Sequence, residues 1–254
     1  NVSQINKLKN KNKKQILKDF EHIQKKRSSI ISLNNTKPVL MGVLNTTPDS
    51  FSDGGKFNKL KPAIQHAKLM LDEGAQIIDI GGESTRPGAE LISEEEECKR
   101  VIQIVKKISQ IKKCIVSIDT RKSSVMMAAV KAGAKIINDV SALDFDSNSI
   151  TLVAKLRKPI ILNHSQGTPK TMQKNPKYQN VLIDIYNYFE NKINQLEKRG
   201  LKRKNIILDP GIGFGKNVQH NLTLMSKISF FHSLGCPLML GPSRKSFIGK
   251  IMGS

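Results

Sequence analysis

Short runs of consecutive apolar residues recur along the chain, and each ends in a polar or charged side chain. "QIIDIGGEST" carries Ile77 and Ile78 into Asp79 and Glu83, and "VSIDTRKS" carries Val116 and Ile118 into Asp119. "KIINDVSAL", "PIILNHSQG" and "NIILDPGIGFGK" end in Asn138 and Asp139, in Asn163 and His164, and in Asp209. Between these runs lie amphipathic stretches with apolar residues at helical spacing. The pattern predicts strands at about 38–44, 76–81, 114–119, 135–139, 159–163, 205–208 and 237–241. It predicts helices near 60–74, 93–110, 122–132, 148–157, 179–199 and 218–234.

The strands are unbroken apolar runs rather than alternating ones, as expected of a parallel sheet covered on both faces. Seven βα units in series predict an α/β fold, a (β/α)8 TIM barrel truncated before its last strand. In such a barrel the polar strand ends converge on one mouth. A doubly wound open sheet also places polar residues at strand ends, and Asp119 read alone is an ordinary helix N-cap.

Residues 1–37 have a different texture. "NKLKNKNKKQILKDFEHIQKKR" is rich in Lys and Asn, with Ile16, Leu17, Phe20 and Ile23 at helical spacing. It reads as a Lys-rich helical N-terminal tail or inter-domain linker ahead of a barrel at 38–254, and the initial Asn suggests a piece of a longer polypeptide.

Composition narrows the classes. The chain has 254 residues, with 42 Lys and Arg against 21 Asp and Glu, a net charge of +21. Nucleic-acid binding would rest on that charge alone, and aromatic residues are only 5% with no Trp to stack on bases. The excess is mostly Lys beside many Asn and Ile, a bias that AT-rich coding produces. Neither nucleic acid nor membrane is expected as a partner, since no apolar run reaches ~18 residues, and a cytoplasmic location is expected. Three cysteines without CxxC spacing, Cys98, Cys114 and Cys236, read as reduced and structural.

Three loops carry the chemistry. "MGVLNTTPDSFSDGG" holds Asn45, Phe51 and Asp53, and "GGESTRPGAE" holds Thr85, Arg86 and Pro87. "LGPSRKS" places Arg244, Lys245 and Ser246 after the seventh strand. Arginines framed by Gly and Pro suit a phosphate or carboxylate. The "GIGFGK" turn is not GxGxxG, so a dinucleotide site is not expected there.

Together these motifs, with "SIDT", "INDVSAL" and "ILDPGIGFGK" in this order and spacing, closely resemble the dihydropteroate synthase family from about Val39 to Gly249. The resemblance implies condensation of 6-hydroxymethyl-7,8-dihydropterin diphosphate with 4-aminobenzoate, giving 7,8-dihydropteroate and pyrophosphate in folate synthesis. It implies that Asp209 takes the paired N–H donors of the pterin edge, that Asp119 and Asn138 bond the reduced ring, and that Lys245 meets its acceptor side. Asn45 resembles the family's Mg2+ ligand. Arg86, and less directly His164, would neutralise the leaving pyrophosphate, with Asp53 and Arg244 also lining the substrate site. The 4-aminobenzoate pocket, where sulfonamides bind in the family, would be formed from Phe51, Thr85, Pro87, Phe214, Lys245 and Ser246. The resemblance also implies a homodimer, and it leaves open whether a pyrophosphokinase domain is fused upstream.

Two departures stand out. Asn163 occupies a strand end where the family commonly has Met, making that wall of the pterin pocket polar. The family's last strand, with its Arg and His, is not in this sequence. The alternative is a corrinoid-linked methyltransferase domain, which shares the barrel and the Asp/Asn pterin contacts but should lack the Arg86 and Lys245 loops.

Overall fold

The computed structural model describes residues 13–25, 30–31, 33, 37–47, 60–84, 89–167 and 176–253. Within them helices and strands alternate: α1 (Lys13–Gln24), β1 (Met41–Asn45), α2 (Leu60–Asp72), β2 (Ile77–Gly81), α3 (Glu94–Ile108), β3 (Ile115–Asp119), α4 (Ser123–Ala132) and β4 (Ile136–Asp139). They continue with α5 (Ser149–Leu156), β5 (Ile160–Asn163), α6 (Val181–Lys198), β6 (Ile206–Asp209), α7 (Val218–Ser226) and α8 (Ser246–Met252). Among the described residues the sheet has six parallel strands in sequence order, β1 to β6, the winding of a TIM barrel.

Side-chain alternation along each strand gives the sheet two different faces. The outward face, including Ile78, Ile80, Ile118, Ile137, Ile160, Ile206 and Leu208, packs under the helices in one large apolar core. The inward face begins apolar and ends polar. Ile77, Ile136, Ile161 and Ile207 form a smaller inner cluster with Met41, Ile115 and Met239 against it. Ile30, Ile31, Leu33 and Val39, which precede β1, also pack into this inner cluster.

Two residues further along, on the same inward face, stand Asp79, Asn138, Asn163 and Asp209. Parallel pairing staggers them: Gly81 lies beside Asp119, Asp119 beside Asn138, Asn138 beside Ile161, and Asn163 beside Asp209. The polar row therefore climbs as it passes around the sheet.

Helix starts follow local chemistry. Ser93 accepts from the Glu96 amide ahead of four acidic residues in the first turn of α3. Asn180 caps α6, and Asn217 with His220 forms a capping box at α7.

The structure differs from the sequence reading in two places. The segment predicted as a strand at 237–241 reduces to one parallel bridge, Leu208 to Leu238. Leu208 donates to the Pro237 carbonyl and accepts from Met239, but Pro237 has no N–H to extend the ladder, and Gly241 and Pro242 follow. The single helix expected at 218–234 breaks at Lys227 (φ −119, ψ 23) into α7 and a 3-10 turn, Ile228–Leu234. That tighter turn buries Phe231 against Phe189, with ring centroids 6.1 Å apart, and directs Phe230 to Tyr186. Helix α1 lies across the same turn, with His22 Nδ1 2.9 Å from the Ser233 carbonyl oxygen. None of the three cysteines is in a disulfide. Among the described residues no helix is long and apolar enough to cross a membrane.

Candidate active site

The inward row of polar strand ends makes the floor of the mouth. Asp79, Asn138, Asn163 and Asp209 are each buried to 6% exposure or less. Gly81 matters here because it has no side chain: a Cβ would stand 3.4 Å from Asp119 Oδ2 and 3.6 Å from Asn45 Oδ1. Its absence leaves two oxygen donors flanking one small gap at the rim.

Asn138 donates from Nδ2 to Asp79 Oδ2 at 2.8 Å. This fixes the amide: its NH2 group is engaged, and Oδ1 is the end left to accept. Asn163 donates to Asp209 Oδ2 at 3.1 Å, while Asp209 Oδ1 accepts from the Gly211 amide at 2.8 Å. Asn163 is thus tied to the neighbouring carboxylate, and its Oδ1 is buried with no hydrogen-bond partner among the described residues.

Burial sets the protonation of this floor. It pushes the Asp79 and Asp209 carboxyls above the usual carboxylate range, in Asp209 against the Gly211 amide and the charges of Lys216 and Lys245. Asp119 is pushed well above it, first by burial and then by the charges of Asp79, Asp139 and Glu97. A cavity with these groups can both accept from and donate to a flat heterocycle.

Asp139, raised by burial to about 6, serves the turn instead. Its oxygens accept from Ser141 N, Ser141 Oγ and Leu143 N at 2.7, 2.6 and 3.0 Å.

The loop after β6 supplies the other wall. Gly211 sits at φ +70, where a Cβ would drive into the His164 carbonyl oxygen, so the two backbones meet because this residue is glycine. Lys245 Nζ lies 4.1 Å from the centroid of the Phe214 ring. Burial lowers the Lys245 ammonium, with Asp209 opposing. His164 is buried among Tyr188, Tyr178 and Phe189. Burial and the Lys216 charge pull its imidazole down to about 3.

Below the β2 loop lies a buried ionic quartet. Lys122 Nζ reaches Glu83 Oε2 at 2.6 Å and Glu97 Oε2 at 2.5 Å. Arg121 pairs with Glu83 and lies over the Phe145 ring, 4.4 Å from its centroid. Burial alone would raise Glu83, but Lys122 and Arg121 outweigh it and hold the carboxyl below its usual value. Glu83 also accepts from the Ile92 amide at 3.3 Å, joining the two ends of the 84–91 segment.

Of the residues singled out in the sequence, Asp119, Asn138, Asn163, Asp209, Phe214 and Lys245 come together at the mouth. Asn45 stands exposed at the end of β1, while Arg244 and Ser246 are exposed beside Lys245. Phe51, Asp53, Thr85, Arg86 and Pro87 lie outside the described residues. Among the described residues no group of three or more His, Cys, Asp or Glu side chains could hold a metal.

The sequence profile of the family described as "Pterin binding enzyme" matches residues 41–254. The chain is similar to dihydropteroate synthase of Escherichia coli (strain K12), 47% identical over 221 residues, covering 87% of this chain and 78% of that enzyme. The chain belongs to the dihydropteroate synthase family. Its fold is similar to Yersinia pestis dihydropteroate synthase in complex with a sulfonamide drug, with a TM-score of 0.83 at 42% identity, covering 90% of this chain and 84% of that one. It is also similar to Xanthomonas albilineans dihydropteroate synthase with 4-aminobenzoic acid, with a TM-score of 0.79 at 39% identity, covering 87% and 78%. The methyltransferase alternative is set aside in favour of the dihydropteroate synthase assignment.

Sequence reasoning about this dihydropteroate synthase family member missed four groups. Asp79 was visible as a strand end, but not its hold on Asn138. Lys122, Glu97 and Lys216 carry no local pattern that singles them out.

Replacing Lys122 by Met should strip the buried Glu83 and Glu97 of their shared counter-charge and cost about 3 to 5 kcal/mol. Urea unfolding of the variant measures this, with Lys99→Met, at the exposed Glu95 pair, as the near-silent control. The second expectation concerns pH. His164 is neutral in the folded protein down to about 3 and titrates from 6.5 when unfolded, so its contribution is full above pH 6.5 and is lost as pH falls. Compared with His164→Gln, the wild-type protein should lose about 3 kcal/mol of relative stability between pH 6.5 and pH 4. Parallel unfolding midpoints for the two proteins across that range would rule this out.

Proposed function

We propose that the chain condenses 6-hydroxymethyl-7,8-dihydropterin diphosphate with 4-aminobenzoate, releasing pyrophosphate and forming 7,8-dihydropteroate. The observation that carries this reading is the buried polar floor of Asp79, Asn138, Asn163 and Asp209, bounded by Lys245 over Phe214. A reduced pterin has an amino group and ring N–H donors along one edge and acceptor atoms beside them, and needs carboxylate, amide and ammonium groups in one cavity. Asp209 takes the donor edge, Asp119 and the Oδ1 of Asn138 meet the reduced ring, and Lys245 meets the acceptor side. Asn163 adds a second acceptor to the wall it shares with Asp209.

The bond from the exocyclic methylene to the diphosphate oxygen breaks first, and the electron-rich dihydropterin ring stabilises the resulting cation. The arylamine nitrogen then bonds to the methylene carbon and releases a proton. A neutral arylamine is already nucleophilic, so no strong general base is needed. Arg86, assisted by Arg244, would stabilise charge on the departing pyrophosphate, and Asp53 would contribute to the substrate site. Phe51, Thr85, Pro87, Phe214 and Ser246 would enclose the 4-aminobenzoate ring, the position at which a sulfonamide would compete.

The rim fits a Mg2+ ion. Asn45 offers a hard oxygen donor beside Gly81, the donor type this cation takes together with water and phosphate oxygens. Asn45 would hold it, and its charge would offset that of the diphosphate. In this reading residues 38–254 are the catalytic barrel and 1–37 an appended segment.

Lys245→Ala and Asp209→Asn should each weaken binding of the pterin diphosphate by about 1.5 to 3 kcal/mol, because each removes a charged partner of a buried polar ligand. Calorimetry decides, and unchanged affinity in both variants would remove the assignment. A sulfonamide should also bind more tightly when pyrophosphate and Mg2+ are present, by about 1 to 3 kcal/mol, and this linkage should shrink in Arg86→Ala. Equal affinity with and without the two ions would refute ordered assembly of the second site.

A further inference from the structure

The loop after β6 is held by a buried amine for which the proposed chemistry has no use. Lys216 is 3% exposed. Its Nζ lies 2.8 Å from the Phe214 carbonyl oxygen, 3.1 Å from the His164 carbonyl oxygen and 3.1 Å from His164 Nδ1. A protonated lysine has three N–H donors, and here each has one acceptor. The imidazole suits this arrangement: His164 is held neutral, so with the proton on Nε2 its Nδ1 accepts.

These bonds join the end of β5 to the loop after β6, across 52 residues of sequence. The loop is pinned from other sides as well. Tyr178 Oη donates to the Gly215 carbonyl at 2.9 Å, Asn221 Oδ1 accepts from the Gly213 amide at 2.9 Å, and the Phe214 amide donates to the Gly211 carbonyl at 3.0 Å. What the loop carries outward is the Phe214 ring, with Lys245 above it. Of these ties only the one from Lys216 grips the carbonyl of Phe214 itself.

We infer that Lys216 is a positioning residue for the arylamine substrate: through the Phe214 and His164 carbonyls it sets the Phe214 ring where the 4-aminobenzoate ring must pack. The inference rests on the function proposed above. The pterin floor stands on strands: Asn138 and Asp209 are positioned by the sheet register and by Asp79, Asn163 and Gly211, and Lys216 acts on Asp209 through its charge rather than by holding it in place. Burial lowers the Lys216 ammonium to about 7, with Asp209 opposing the shift and Lys245 adding to it, so the clamp is held against a real desolvation cost.

The test uses Lys216→Met, which keeps the apolar stem and removes every donor, and Lys216→Gln, which restores two of them. In Lys216→Met the KM for 4-aminobenzoate should rise about tenfold or more, while calorimetric affinity for the pterin diphosphate changes less than about threefold. Lys216→Gln should recover part of that KM. The amides of Gly213 and Phe214 should exchange hydrogen at least about tenfold faster in Lys216→Met, a readout that needs no turnover. If the wild-type protein does not form dihydropteroate, the proposed function fails, and the exchange measurement still decides whether the amine clamps the loop. Equal shifts in both substrates, or a lower unfolding temperature with unchanged KM and exchange, would overturn the inference. Should Lys216→Met not fold, Lys216→Gln carries the same comparison, and equal substrate shifts in it overturn the inference as well.

Discussion

The register of the parallel sheet is the constraint from which the site follows. Because side chains alternate strictly along a strand, the face that buries Ile77, Ile136, Ile161 and Ile207 at one level must present Asp79, Asn138, Asn163 and Asp209 two residues later. A slip of one residue in any strand would send that strand's polar group into the apolar layer beneath the helices and turn an isoleucine into the mouth. The first error buries an unpartnered carboxylate or amide, which costs far more than the second. The same pattern that makes the core therefore selects the one register in which the site exists.

Carboxylates crowd this end of the sheet, and the structure deals with them in two ways. Glu83 and Glu97 share Lys122, with Arg121 also on Glu83, so both carboxylates have a counter-charge in contact. Asp79 and Asp119 form no ion pair among the described residues, and burial raises both. The contrast separates scaffold from site: the paired charges support the loops, while Asp79 and Asp119, raised at the mouth, are the ones a ligand can satisfy.

Legibility in the sequence follows the same division. Asp119, Asn138 and Asp209 could be found because each ends a run of apolar residues whose strand character fixes where its side chain points. Asn163 was found the same way, yet its hydrogen bond to Asp209 depends on the neighbouring strand, which a linear pattern does not contain. Lys122 and Glu97 were overlooked because a lysine at a helix start and a glutamate in an acidic first turn both have ordinary local explanations, and only packing of α3 against the β3 loop brings them together. The segment around Leu238 was read as a strand on its apolar content, whereas its prolines limit what the backbone can pair.

Strand-borne and loop-borne groups are also held by different physics. Asp79 and Asn138 take their positions from backbone ladders on both sides of their strands, and Asp209 from the ladder to β5 and the bridge at Leu208, so moving one means breaking several cooperative bonds. Phe214 owes its place to a few side-chain bonds onto carbonyls and to the close backbone contact at Gly211. A pocket built in this way is rigid where a flat heterocycle with a fixed hydrogen-bonding edge must be matched, and adjustable where an aromatic ring needs only a surface to lie on. Substitutions in the β6 loop can then alter which arylamines or sulfonamides are accepted without disturbing pterin recognition, because the two surfaces share the side chain of Lys245 but not the bonds that hold them.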